Sequence, residues 1–306
     1  MAGVSQRFKQ TIFKQQRVLA KTLILFAILL FAGGTWGWWH FIYSHPKRVF
    51  WGAIGNALQT RSFTRQSVLI DNDQSYIQRV ITKSSPKQVV SGVNEIKQEN
   101  AAGFDVFTEV VGTPTIDYVR YTSIKTDQKD QDGKSLDYKS VLGVWGKTEP
   151  ADKQTNGQLY NQSVLGVMPF GNLPLTQRRE LISLMQSKST YKTDYSSVKR
   201  TLIKSRPVYS YEVVVNAEAY ITVLKKYASM VGLTHMSQTS PEDFRTTAAL
   251  QFRVFVDVWT KQVTKIEYPG GRTETYGSYG IQKQAAAVPA ATINIDQLQQ
   301  RVQAVQ

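Results

Sequence analysis

Residues 22–43, TLILFAILLFAGGTWGWWHFIY, contain no Asp, Glu, Lys or Arg. A helix of about 20 apolar residues crosses the roughly 30 Å hydrocarbon layer of a bilayer, and inside lipid it pairs its own backbone groups. Trp36, Trp38, Trp39, Phe41 and Tyr43 crowd the C-terminal end, where amphipathic rings favour the headgroup layer. The stretch is therefore predicted to be a transmembrane helix. Arg7, Lys9, Lys14, Arg17 and Lys21 precede it, against Lys47 and Arg48 after it. That asymmetry puts residues 1–21 in the cytoplasm and the rest of the chain outside the cytoplasmic membrane, as a single-pass protein. The rival reading is a cleaved signal peptide, which needs a shorter apolar core and a small-residue cleavage site. Here Trp and Phe stand where that site should be. His40 and His45 read as interfacial histidines.

Charge and cysteine narrow the classes further. The first 43 residues hold five of the 37 Lys and Arg and none of the 23 Asp and Glu, so +9 of the net +14 belongs to the remainder. Such a balance favours anionic surfaces, but no basic run approaches five residues and no nucleic-acid partner is expected. There is no cysteine. An external domain would fold on its core alone, without disulfides or a thiolate metal site.

Periodicity supplies the elements. Phe50, Ile54 and Leu58 form one stripe of a helix over 46–61. From 62 to 125 the period becomes two, with strands around 64–70, 76–81, 88–98, 104–111 and 115–125. Gly92 suggests a bend or bulge in the third. Asp127–Lys134, DQKDQDGK, has the wrong spacing for an EF-hand loop and reads as a turn. Strands are expected at 138–147 and 158–168, each carrying one copy of Ser-Val-Leu-Gly-Val. Helices are expected at 177–186 and 217–231, the latter closed by Gly232. A strand at 207–216 and a meander of strands at 247–259, 263–268 and 272–281 complete the body. Residues 282–291 read as a linker, and 294–306 as a short helix or tail. The domain scheme is thus 1–21 tail, 22–43 transmembrane helix, 44–281 extracytoplasmic α+β domain and 282–306 linker and C-terminal segment.

Enzyme signatures are missing. Of three histidines only His235 stands well inside the domain, and neither H-E-x-x-H nor G-x-S-x-G occurs. No catalytic residue, metal site or cofactor is assigned, and the chain is expected not to be an enzyme. The apolar strands with helices leave two possibilities: a packed core or a cavity for a greasy ligand.

Residues 252–280, FRVFVDVWTKQVTKIEYPGGRTETYGSYG, resemble the closing strands of the LolA-like lipoprotein-carrier fold. They are also similar to the mycobacterial lipid-carrier lipoproteins that share it. The 209–216 strand followed by the 217–231 helix is similar too, and the likeness covers about a quarter of the chain. It implies a curved antiparallel half-barrel closed by helices, with an apolar interior and no catalytic residue. The departure is the predicted anchor helix in place of a lipid-modified cysteine.

The expected function is a membrane-anchored, extracytoplasmic, non-catalytic domain that binds a hydrophobic or lipidic ligand or a lipidated partner. Candidate lining residues are Tyr220, Leu224, Leu250, Phe252, Val254 and Val256. Expected partners are the lipid bilayer, a lipid or lipidated protein, and an envelope protein. The alternative is a bitopic scaffold subunit of a cell-envelope or secretion complex, with a sensor domain as a third reading.

Overall fold

The computed structural model describes residues 28–32, 34–35, 43–71, 74–85, 87–98, 103–148, 157–233, 239–281 and 287–305. The chain divides into two compact units, residues 1–49 and 50–306. In the first, residues 28–32 and 34–35 are helical, and the Thr35 hydroxyl donates to the carbonyl oxygens of Phe31 and Ala32.

The expectation of a transmembrane helix over 22–43 is corrected here. Among the described residues no helix is long and apolar enough to cross a membrane. A span needs about 20 residues, and the described helical positions in that stretch fall far short of this. The other positions of 22–43 lie outside the described residues, apart from Tyr43. The single-pass, N-terminus-inside topology rested on that helix and falls with it.

The larger unit is built on one sheet. Along the chain come α1 (Pro46–Ala57), β1 (Ser62–Asp71), β2 (Gln74–Lys83), β3 (Val89–Gln98), β4 (Phe104–Gly112), β5 (Asp117–Thr126) and β6 (Trp145–Lys147). Then follow α2 (Gln158–Val164), α3 (Leu175–Ser187), β7 (Tyr191–Lys192), β8 (Lys199–Ile203), β9 (Arg206–Val215) and α4 (Ala217–Val231). The end comprises β10 (Leu250–Asp257), β11 (Val263–Glu267), β12 (Thr273–Gly277), β13 (Ile293–Asn294) and α5 (Ile295–Gln303). The strand order is β13-β6-β5-β4-β3-β2-β1-β12-β11-β10-β9-β7, with β8 also on β9. All pairings are antiparallel except the two-residue β13–β6 contact. Two meanders, β1–β6 and β9–β12, meet where β1 pairs β12, Thr64 opposite Gly277 and Val68 opposite Thr273.

Strand alternation gives the sheet two different faces. Helices cover one. Phe50 and Ile54 of α1 and Leu58 just after it are buried, and the Phe50 ring lies 5.3 Å from Tyr211 of β9. Tyr160 and Val164 of α2 pack with Val80, Val90, Val110 and Ala228. In α4 the Asn216 side chain accepts from the Ala219 N–H, and Gly232 closes the helix in the left-handed region at φ 75°, a conformation glycine adopts without steric cost. Gly146 leaves room for α5, since a Cβ there would lie 2.8 Å from Leu298.

Three expectations about elements are revised. Residues 158–168 hold no strand; Gln158–Val164 form α2 and 165–168 are bends. The carboxylate of Asp117 accepts the Gln158 N–H at 2.7 Å and the Leu159 N–H at 3.3 Å, so a side chain 41 positions away caps this helix. In 138–147 only Trp145–Lys147 is strand, because Gly143 turns the chain at φ 80°. The two Ser-Val-Leu-Gly-Val copies therefore sit in unlike conformations. Finally, β3 keeps an unbroken register through Gly92. The glycine is needed there for close approach, since a Cβ would lie 2.0 Å from the Arg79 carbonyl oxygen. The register shifts fall at Phe107/Thr108 and Phe255/Val256 instead.

A buried polar cluster ties β1 to its neighbours on the helix-covered face. Arg65 donates to Gln78 Oε1 at 2.6 Å and to the Gln162 carbonyl at 3.0 Å, and its Nη1 lies 3.7 Å from Glu274 Oε1. Glu274 also accepts from Tyr268 (2.8 Å), Tyr276 (2.5 Å) and Arg272 (2.6 Å). Burial pushes this carboxyl up, but Arg65, the two tyrosine hydroxyls and Arg272 outweigh it and hold it below the ordinary glutamate range. A depressed pKa contributes stability above the unfolded-state value, and that stability is lost as pH falls through the lower folded value.

Two stability predictions follow from these contacts. Glu274→Gln leaves Arg65 buried without its counter-charge and is expected to cost about 3–5 kcal/mol in urea unfolding at neutral pH. The gap between wild type and variant should narrow as pH drops below about 4. Asp117→Ala removes the cap of α2 and should cost about 1–2 kcal/mol, whereas Asp117→Asn should retain part of it.

Candidate functional site

The face away from the helices carries the site. Thr64 and Gln66 of β1, Arg79 and Ile81 of β2, Ser91 and Val93 of β3, and Glu109 and Val111 of β4 alternate with residues that face the helices. These eight side chains border one cavity of about 1230 Å³. Its far wall comes from the other meander and the β8–β9 hairpin, through Ile203, Lys204, Arg206, Thr264, Thr275 and Tyr279. Trp145 of β6 borders it as well. In a flat sheet, ten strand spacings would hold Trp145 and Ile203 roughly 45–50 Å apart. For both to border one cavity, the sheet curls towards this face.

The walls are mixed in character. Ile81, Val93, Val111, Trp145, Ile203 and Ile281 form the apolar part. Val111, Val89 and Tyr118 are buried together, with Trp145 and Ile116 packed against them. Arg79, Lys204, Arg206 and Lys265 bring positive charge, against Glu109 and Asp257. Both acids are engaged. Glu109 pairs with Arg120, whose guanidinium lies 4.8 Å from the centre of the Trp145 ring. Asp257 is 2% exposed. It pairs with Arg206 at 2.7 Å and accepts from the Trp259 N–H, the Thr260 N–H and the Thr260 hydroxyl. Arg79 and Lys204 have no ion-pair partner among the described residues. The Tyr279 hydroxyl donates to the Val263 carbonyl at 2.5 Å, and burial raises it well above the ordinary tyrosine range.

No group of three or more His, Asp or Glu side chains placed to hold a metal occurs among the described residues. His235 and His40 lie outside them. A smaller cavity of about 260 Å³ opens elsewhere, beside Ser84, Gln88, Tyr160 and Gly232.

The residues singled out as ligand-lining lie on the other side of the sheet. Phe252, Val254, Val256 and Leu224 are buried, with Phe252 opposite Val213 and Val254 opposite Tyr211. Tyr220 is half-buried and donates its hydroxyl to the Gly166 carbonyl. Leu250 is 40% exposed at the strand end. None of the six borders either cavity. The groove residues were missed because polar ones alternate with apolar ones there, and because residues 188–206 carry no clear period. The available signal was that Ile81 and Val93, on the side of their strands away from Val80 and Gly92, are apolar too.

No protein-family model and no curated protein matches the chain. Among solved structures it is similar to LprF from Mycobacterium bovis, with 11% identity over 80% of this chain and 97% of that one and a TM-score of 0.41. It is also similar to the Mycobacterium tuberculosis lipoprotein LppX, with 10% identity over 77% of this chain and 94% of that one and a TM-score of 0.33. Residues 252–280 pointed to proteins of this kind.

Proposed function

We propose that this chain is a non-catalytic binding module that holds an amphipathic, lipid-like molecule in the curled groove of its sheet. The observation that carries this reading is the groove itself: about 1230 Å³, apolar along Ile81, Val93, Val111 and Trp145, and basic at Arg79 and Lys204. Small-molecule sites are concave and mostly apolar, with a few polar groups that fix orientation. An apolar body would lie along the aliphatic wall, and an acidic or strongly polar head would meet the two cations.

The engaged state of the acids supports the non-catalytic part. Four donors surround the Asp257 carboxylate, three on Oδ1 and Arg206 on Oδ2, which tie it to the turn after β10. Glu109 is paired with Arg120 through Oε2.

Native mass spectrometry of the purified chain tests the proposal. A retained lipid-sized molecule, extractable into organic solvent, is the expected result. Val93→Asp places a carboxylate on the apolar wall directly opposite Arg79; it removes apolar contact and competes with an acidic head for that cation, and should weaken retention about ten-fold or more. Phe252→Leu, in the helix-covered core, should lower stability without emptying the groove. A chain that takes up no lipid, with Val93→Asp indistinguishable from wild type, would refute the reading.

A further inference from the structure

The β8–β9 hairpin stands out from the rest of the surface. Its sequence, KRTLIKSR over 199–206, holds Lys199, Arg200, Lys204 and Arg206, and no acidic residue lies between Asp194 and Glu212. All four cations are exposed. Arg206 is neutralised by Asp257, while Lys199, Arg200 and Lys204 have no ion-pair partner among the described residues. The turn is as tight as a hairpin allows: Ile203 pairs with Arg206, and Lys204 and Ser205 both take positive φ, 49° and 64°. Two left-handed residues make the type I′ geometry that matches strand twist, usually supplied by Asn-Gly. The short turn presents its tip as a stiff projection.

Apolar side chains share that tip. Leu202 is 68% exposed and Trp259 50%. The Arg206 guanidinium lies 6.0 Å from the centre of the Trp259 ring. Ile203, Lys204 and Arg206 also border the groove, so the basic tip runs into the cavity wall, with Leu202 on the opposite side of the hairpin.

We propose that this hairpin docks the protein on an anionic lipid bilayer, seating Leu202 and Trp259 among the headgroups and bringing the groove to the surface from which its ligand is taken or to which it is delivered. This rests on the lipid-binding reading of the groove. The charge is complementary, because anionic leaflets attract clustered Lys and Arg within about a Debye length, roughly 8–10 Å at physiological salt. The side chains suit the interface as well. Trp concentrates at the headgroup level, and Lys and Arg stems lie along apolar surface while their heads stay in water.

The chain has no cysteine, so Leu202→Cys accepts a single polarity-sensitive fluorophore in the full-length protein. Lys134→Cys, in the exposed turn after β5, is the control. The label at 202 should shift to the blue with vesicles containing phosphatidylserine and stay put with pure phosphatidylcholine. The label at 134 should stay put with both. High salt should abolish the shift, and Lys199→Gln, Arg200→Gln and Lys204→Gln together should raise the lipid concentration needed about ten-fold or more. A label at 202 that does not move, or two labels that move alike, overturns the proposal. So does an equal response to poly-glutamate or DNA, which would make the hairpin a general polyanion site. Mass spectrometry of the same samples separates the two claims. Retained lipid with an unmoved label removes docking alone; a shifted label without retained lipid supports docking and removes the groove reading.

Discussion

The pairing of β1 with β12 is the constraint on which the rest of the molecule depends. Within each meander the paired strands follow one another along the chain, through short turns in β1–β5 and β10–β12 and through α4 between β9 and β10, so these contacts are comparatively local. The β1–β12 seam joins residues about 200 positions apart, so its loop-closure entropy is lost before any contact offsets it. The Arg65–Glu274 cluster sits on this seam, with Arg65 of β1, Tyr268 and Tyr276 around Glu274 and Gln78 of β2 accepting from Arg65. Arg65 and Glu274 are both buried, and a buried charge with its counter-charge missing is costly. The arrangement therefore favours one register of the seam over its neighbours. Without that seam, the walls of the groove would belong to two separate sheets.

The two faces of the joined sheet do different physical work. On the helix side, the stripes of α1, α3 and α4 meet Val, Phe and Tyr side chains that are almost fully buried, and close packing leaves little room for a ligand. On the other side no helix of the described residues lies over the central strands. The sheet answers by curling, which shelters Val111 and Tyr118 while leaving Ile81 and Val93 along an open cavity. The apolar part of that wall is thus sheltered without being packed against a helix.

Charge around the groove is uneven. The acids near the groove are consumed by local contacts, Glu109 with Arg120 and Asp257 with Arg206. The cations are in excess, at Arg79 and then outward to Lys204, Arg200 and Lys199. Positive charge therefore stands both beside the apolar wall, at Arg79 opposite Val93, and at the hairpin.

Much of the body could be read from the amino-acid order alone. The Phe50/Ile54/Leu58 stripe, the alternation in β1–β5, the 217–231 helix with its Gly232 stop and the C-terminal meander are local signals, carried by side-chain period and by glycine's backbone freedom. Local signals failed where distant partners decided the outcome. Residues 158–164 became a helix because Asp117 supplies the missing cap, and Gly92 keeps its strand straight because the Arg79 carbonyl crowds its α-carbon. The long apolar stretch at 22–43 suggested a membrane span, and no described helix meets the length a span requires. The site was the least visible part. Phe252, Val254 and Val256 alternate clearly and proved to be core, while the groove draws single residues from β1–β4, β6, β8 and β11–β12. Period tells which residues share a side of one strand; only the long-range pairing and curl of the sheet decide which sides meet, because that closure is set by contacts with no trace in any short window of sequence.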